Sequence, residues 1–384
     1  MQHDDTSDTV TEKAGAVDVP LAPGLTRADF KRLFLDDTAM LDVRAPVEFE
    51  KGAFPQSQNL PLMTDEERHL VGIKYKEAGQ KEAIALGAAL VTPALREQRV
   101  DSWKAFATEH PDGVLYCFRG GLRSRISQQW LSNAGLEIPL IEGGYKALRT
   151  FLIESLEQLC ESMPIMLVGG RTGNGKTLLI NKLGDTVDLE ALANHRGSSF
   201  GGMASIQPSN IDFENAVSVE MLKLDNKGAK RVFMEDEARL IGRVCLPESV
   251  RLAMQRSSII ILECDMPSRI RNCFDDYVPD LLSRYNKATN EQDGFTAFAD
   301  HHKGSLERIQ KRFGGDNYRQ ACALLDQALH LHKEHNDTSG YAPFIEMLLR
   351  DYYDPMYDYQ LSKKEQRVLF KGTSTDLMDW AANS

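Results

Sequence analysis

PIMLVGGRTGNGKTLLINKL (164–183) decides the architecture of the larger part of the chain. PIMLVGG (164–170) is a short apolar run ending in glycines, and TLLINKL (177–183) has helical character, so the turn between them joins a buried strand to a helix. Inside it, GRTGNGKT (170–177) satisfies G-x-x-x-x-G-K-[ST] in the strand–loop–helix context that this motif requires. Backbone N–H groups of such a loop wrap phosphate oxygens, the lysine adds positive charge toward the distal phosphates, and the threonine can ligate Mg²⁺ when a nucleotide is present. Gly170, Gly173, Asn174, Gly175, Lys176 and Thr177 are therefore the expected phosphate-binding residues. The motif implies a phosphate site rather than hydrolysis, and a kinase and a diphosphate binder both fit it.

Outward from this loop, RVFMEDE (231–237) and SIIILEC (258–264) read as further buried strands with helical stretches between them. That alternation predicts a P-loop NTPase-like α/β domain over 164–280. Glu235, Asp236 and Glu237 end a strand where a Walker-B-like metal ligand would sit, although solvated acids give the same pattern. DLEALANHRGSSFGG (188–202) brings His195, Arg196, Gly197 and Ser198 into one glycine- and serine-rich loop. With Asp236 these residues form a candidate substrate pocket, because guanidinium and hydroxyl donors suit anionic groups; a turn-rich connector is the alternative. Residues 281–384 read as a helical C-terminal extension. In DNYRQACALLDQALHLHKEH (316–335), Tyr318, Leu325, Leu329 and His332 recur at helical spacing and predict a packed face. KALRTFLIESLEQLCES (146–162) carries an apolar stripe at Leu148, Leu152, Ile153, Leu156 and Leu159, which predicts a connector helix over 147–163.

The N-terminal part, 23–146, is a second α/β domain. TAMLDVR (38–44) and GVLYCF (113–118) read as buried parallel strands, and residues 62–110 between them hold a helical insertion larger than a crossover needs. The second strand opens into YCFRGGLRS (116–124), where Cys117 is followed by Arg119, Gly120, Gly121, Arg123 and Ser124. Glycines let backbone N–H groups converge on one point, and nearby guanidinium groups and a helix N-terminus favour the thiolate. Cys117 is the expected nucleophile, and those five residues are its expected anion pocket.

At 384 residues the chain is long enough for two cores, and 42% hydrophobic with 26% charged residues is ordinary for a globular protein. No apolar run approaches the roughly 20 residues of a membrane-spanning helix, and residues 1–22 read as a disordered acidic leader without a signal-peptide core. The six cysteines are scattered without a CxxC pair, which predicts reduced thiols, a cytoplasmic location and no metal centre. A net charge of −11 repels nucleic acid at long range, so a polynucleotide partner needs a local basic surface. Lys303, Arg308, Lys311 and Arg312 supply one, with His301, His302 and the tyrosines of RDYYDPMYDY (350–359) as neighbouring polar and stacking groups.

LDVRAPVEFEKGAFPQSQNLPL (41–62) places Asp42, Arg44, Glu48, Gly52 and Pro55 as in the rhodanese family, which this part of the chain resembles. The resemblance implies a rhodanese-like parallel-sheet domain in which Cys117 bears a persulfide or its selenium analogue, with Asp42 and Arg44 holding the fold. Five residues separate Cys117 from Arg123, one more than in many sulfur-transferring rhodaneses. That spacing resembles dual-specificity phosphatases and fits a tetrahedral phosphate-like group. Taken together, YCFRGGLRS, GGRTGNGKT, DLEALANHRGSSFG, MEDEARLIG and LLRDYYDPMYDYQL resemble the bacterial tRNA 2-selenouridine synthase family. This resemblance implies replacement of sulfur by selenium in wobble 2-thiouridine, with selenophosphate as donor and an S-geranyl intermediate made from geranyl diphosphate. It also implies tRNA and the selenophosphate-producing enzyme as partners and no tightly bound cofactor. The competing readings are a cysteine phosphatase fused to a P-loop kinase and a nucleotide-gated rhodanese binding module.

Overall fold

The computed structural model describes residues 21–383, so the leader expected over 1–22 lies almost wholly outside the described residues. The described chain forms two compact units. The first comprises the described residues up to Asp29, Thr38–Pro46 and Ser57–Ala147; the second comprises Phe30–Asp37, Val47–Gln56 and everything described from Leu148 onward.

In the first unit, β1 (Met40–Asp42), β2 (Ser57–Asn59) and β3 (Val114–Tyr116) form a parallel sheet in the order β2-β1-β3. Every residue of β1 and β3 is buried, which is why both read as continuous rather than alternating patterns. The helical insertion consists of Asp65–Leu90 and Pro93–Glu109. Thr64 and Glu67 close a capping box on the first helix, Thr92 caps the second, and an ion pair of 2.7 Å between Glu67 and Arg99 ties the two together. Trp103 is fully buried among Leu41, Leu115 and Leu131, and its Nε1–H donates to the Leu60 carbonyl at 2.9 Å, so the core holds no orphaned indole.

In the second unit, the sheet contains β4 (Ile165–Gly169), β5 (Val232–Glu235), β8 (Ser258–Leu262) and β9 (Val368–Gly372). A small antiparallel hairpin of β6 (Leu240–Ile241) and β7 (Val244–Cys245) lies between β5 and β8 in sequence. The sheet order is β5-β4-β8-β9, all parallel, which puts the strand entering the phosphate loop between two neighbours. The C-terminal region was expected to be helical, and β9 corrects that. After a run of helices the chain returns to the sheet edge, and helix Ser374–Asn383 buries Leu377 beside Val168 and stacks Trp380 on Phe370. The helices before β9 have their own core around Phe298, Leu306, Phe344 and Tyr353. Two π-helical turns, Asp276–Asp280 and Leu349–Tyr353, interrupt them. The predicted connector is present as helix Gly144–Ser162, with Leu148, Leu152, Leu156 and Leu159 buried.

Candidate active site

Cys117 stands directly after β3 and is only 3% exposed. Its Sγ lies 3.2 Å from the Ser124 hydroxyl, which in turn donates to the Gly121 carbonyl at 3.0 Å. Rotation of that hydroxyl toward the sulfur would stabilise a thiolate at no cost in packing. The loop turns through Gly120, whose φ of +62° suits glycine, and leads into helix Leu122–Asn133 with Arg123 and Ser124 in its first turn. Arg119 is exposed, with its guanidinium 5.8 Å from the Phe118 ring centre.

The back of this loop rests on Gly143, Gly144 and Tyr145, residues that the sequence reading passed over. The Tyr145 and Lys146 amides donate to the Cys117 and Phe118 carbonyls at 2.8 and 3.1 Å. A side chain on Gly144, which has φ +58°, would collide with the Cys117 carbonyl. The adjacent glycines of EGGY (142–145) were the available signal. Asp42 and Arg44 form a fully buried ion pair of 2.6 Å, with the Arg44 guanidinium 3.9 Å above the Tyr145 ring. Burial acts to raise the Asp42 pKa, and Arg44 acts to lower it. Both residues hold the loop's surroundings.

In the second unit, Gly173 and Gly175 turn the phosphate loop through φ of +80° and +82°, and helix Lys176–Leu183 follows. Lys176 Nζ folds back to the Gly170 carbonyl at 3.0 Å. Carbonyls on the outside of the loop are held by a neighbouring helix, Met266–Asp275. Arg269 Nε donates to the Thr172 carbonyl at 3.0 Å, and Asn272 Nδ2 donates to the Gly173 carbonyl at 2.8 Å. Asn174 was expected among the phosphate ligands, but its buried side-chain amide donates to the Leu262 carbonyl and braces the loop against β8.

The three acids at the end of β5 have three different partners. Glu235 is fully buried, accepts the Leu189 amide at 3.1 Å, and is pushed well above the usual carboxyl range by burial. Asp236 is paired with Lys364 at 2.7 Å. Glu237 shares a hydrogen bond with Glu190, whose pKa is raised to about 8 by burial and then by the Glu237 charge. Glu190 also accepts from the Thr177 hydroxyl at 3.3 Å, so it belongs to the site although sequence reading gave it no role.

These elements surround a cavity of about 660 Å³. Gly170, Gly173, Gly175, Lys176 and Thr177 line one part of it, and His195, Arg196, Gly197, Ser198 and Asp236 line another. The grouping of these two sets matches the sequence expectation, but two of the assigned charges are engaged elsewhere. Arg196 is ion-paired with Asp280 at 2.5 Å and with Asp276 at 3.4 Å, so its guanidinium is already committed, as is Asp236. His195 is held near pKa 4 by burial and by the nearby His301, and is neutral at physiological pH.

The remaining lining is mixed: Tyr277, Tyr352, Tyr353, Met356, Tyr357 and Leu361 stand beside polar groups that include Glu190, Glu237, Asn272, Asp275, Asp276 and Gln360. Tyr352 and Tyr353 were expected to stack on an unpaired base, yet both are buried in the helical core; of that segment's tyrosines, Tyr359 is 63% exposed. His302 is likewise fully buried rather than presented to a partner. Lys303, Arg308, Lys311 and Arg312 are exposed on helix Glu291–Phe313, and Arg312 also lines the cavity. No helix among the described residues is long and apolar enough to cross a membrane.

Residues 163–384 match the family model described as the tRNA 2-selenouridine synthase AAA domain. The chain is 49% identical over 353 residues to a tRNA 2-selenouridine synthase of Marinobacter nauticus, covering 92% of this chain and 96% of that protein. It is 46% identical over 356 residues to one of Shewanella piezotolerans, covering 93% and 98%. Against one of Hahella chejuensis the identity is 46% over 362 residues, covering 94% and 95%. With a matched domain that contains the phosphate loop and the cavity, and with relatives aligned along nearly the whole chain, the protein belongs to the tRNA 2-selenouridine synthase family.

Proposed function

We propose that this protein replaces sulfur by selenium in the wobble 2-thiouridine of tRNA in the cytoplasm, in two chemical steps served by two loops. In the first, the thiouridine sulfur attacks C1 of geranyl diphosphate, the C–O bond to the diphosphate breaks, and the uridine N3 proton is released. In the second, selenium attacks C2 of the modified base and geranylthiol departs, because an alkylated sulfur leaves more easily than a thiocarbonyl sulfur. Selenophosphate is the selenium source. The Cys117 thiolate attacks the phosphorus of selenophosphate, the P–Se bond breaks to release selenide for the attack on C2, and water then frees phosphate from the S-phosphocysteine, with Ser124, Arg119, Arg123, Gly120 and Gly121 organising the loop that holds the donor.

The observation that carries this reading is the mixed lining of the 660 Å³ cavity, in which the phosphate loop with Lys176 shares one space with Tyr277, Tyr353, Met356 and Leu361, alongside polar groups such as Glu190, Asp275 and Gln360. A nucleotide would use the loop but leaves the aliphatic part of such a lining unexplained. A diphosphate ester of a short hydrocarbon matches both parts. A magnesium ion carried on the donor's phosphates would find the Thr177 hydroxyl at the loop's end. The test is mass spectrometry of nucleosides from thiolated tRNA incubated with the protein. Geranyl diphosphate alone should give S-geranyl-2-thiouridine, and adding selenophosphate should convert it to 2-selenouridine. Selenouridine formed at full rate without any geranyl donor would remove the first step.

A further inference from the structure

We propose that Tyr277 and Tyr353 together form a fixed stop that sets the length of hydrocarbon the cavity accepts. The proposal rests on the diphosphate-ester reading of the cavity given above and adds a specificity element to it. Both tyrosines line the main cavity, and both also line a second, small hole of about 20 Å³ in the helical core behind them. That hole is also lined by Phe200, Phe344, Ile345 and Leu348. The two rings therefore separate a large open cavity from a small apolar space that continues into the core.

Each ring sits on a π-helical turn, Tyr277 in Asp276–Asp280 and Tyr353 in Leu349–Tyr353. A π turn inserts one residue into the helical repeat and swings the following side chains out of register, an arrangement found mostly at functional sites. Here two separate helices do this on the same wall. Tyr277 is pinned by a hydrogen bond, whereas Tyr353, whose buried hydroxyl has no hydrogen-bond partner among the described residues, is held by packing alone. Tyr277 and Ser198 share a hydrogen bond of 2.7 Å. Tyr352, whose ring meets Tyr353 edge-on at 5.0 Å and 77°, lies 3.4 Å from the Ser199 hydroxyl. Rings held this way form a wall rather than a door. Behind them, a hole lined by apolar side chains gains nothing from water but gains dispersion contacts from a hydrocarbon chain. A phenol ring has about the bulk of one isoprene unit, so truncating either tyrosine joins the hole to the cavity and lengthens the accessible channel by that unit.

The experiment compares geranyl and farnesyl diphosphate as donors to thiolated tRNA, measuring kcat/KM for each with the full-length protein. Wild type should prefer geranyl by at least about tenfold, the scale on which a pocket rejects excess hydrocarbon. Tyr353→Ala and Tyr277→Ala, which remove the ring, should each move the ratio toward farnesyl by a similar factor, while Tyr353→Phe, which keeps the ring, should retain the wild-type ratio. Wild type that uses farnesyl as well as geranyl overturns the stop without any variant. So does a normal geranyl preference that folded alanine variants leave unchanged. If wild type transfers no prenyl group of either length, the donor assignment itself fails and the stop falls with it, an outcome distinct from the other two. Thermal melts establish that the variants fold, and the wild-type comparison stands if they do not.

Discussion

Cys117 shows what a single residue's surroundings disclose and what they conceal. Its place after a buried strand and before a glycine turn was legible in YCFRGGLRS, as was the supporting role of Asp42 and Arg44. The Ser124 hydroxyl at 3.2 Å and the glycine pair behind the loop were not fully legible, because both depend on backbone approach rather than on residue type. Cys117→Ser should abolish selenium incorporation while changing stability by less than about 1 kcal/mol, since one chalcogen atom replaces another in an intact pocket. Nucleoside mass spectrometry beside a thermal melt checks this, and near-normal selenouridine from the variant would remove Cys117 from the chemistry. His302 is a second residue whose meaning lies in its burial. Its Nε2–H donates to the Tyr277 carbonyl at 2.9 Å, and burial, then the neighbouring His301, lowers its pKa from 6.5 to about 3. The unfolded chain therefore takes up a proton below pH 6.5 that the folded chain refuses. The stability this group contributes is complete above pH 6.5 and is lost as pH falls toward 3. By pH 5 the loss should reach about 2 kcal/mol, or roughly 4–8 °C in Tm. His302→Gln should remove that part of the acid sensitivity, whatever it does to Tm at pH 7.5; equal Tm differences between pH 7.5 and pH 5 for variant and wild type would contradict the assignment.

At the scale of elements, β1, β3, β4, β5 and β8 were all visible as short apolar runs, because parallel strands buried on both faces cannot alternate. Strand β9 was not, since it is an edge strand whose exposed and half-buried residues alternate and it follows a long helical stretch. The two π turns were also hidden, because five residues are too few to distinguish their period from that of an α-helix. The position of the phosphate loop was legible, but its bracing was not, and Asn174, expected among the phosphate ligands, belongs to that bracing. Arg269 is 2% exposed, and it joins the Thr172 carbonyl to Asp354, which it meets at 2.5 Å. Arg269→Ala removes the buried partner of Asp354, which keeps only Arg171 at 3.5 Å, and should cost about 2–3 kcal/mol, along with weaker binding of the loop's ligand. Asn272→Ala removes a single neutral hydrogen bond and should cost about 1 kcal/mol. Thermal melts paired with a titration of geranyl diphosphate would resolve this order. Equal and small effects for both would mean that the loop holds its shape without the helix Met266–Asp275.

For the whole molecule the question is how an acidic protein of net charge −11 receives tRNA. Helix Glu291–Phe313 is the surface to test, because its two faces differ in charge. Phe298, Leu306, Ile309 and Phe313 are buried, while Lys303, Arg308, Lys311 and Arg312 are exposed. Lys303 is paired with Asp326 at 3.0 Å, but both side chains are more than half exposed, so the pair is weak and can yield to a phosphate. Arg312 lines the same cavity as Lys176, and Arg308 reaches toward the Ser199 carbonyl in the loop that borders it. A backbone bound along this face would thus end at the cavity mouth, where a wobble base has to be delivered. Tyr352 and Tyr353 are buried apart from what they present to the cavity, so on the outer face of this helix the four cations are the groups available to a phosphate backbone. Combining Lys303→Glu, Arg308→Glu, Lys311→Glu and Arg312→Glu should weaken tRNA binding at low salt by at least about tenfold. It should also reduce the slope of log K against log salt by about 0.7–0.9 for each phosphate that is no longer neutralised. A smaller set, Lys303→Glu with Lys311→Glu, leaves the cavity lining untouched, so a lower slope in that variant with an unchanged melt separates docking from damage to the pocket. If the slope and affinity of both variants match wild type, the docking face lies elsewhere, and the exposed Lys76 and Lys81, with the half-buried Lys74, of helix Asp65–Leu90 become the surface to reverse next.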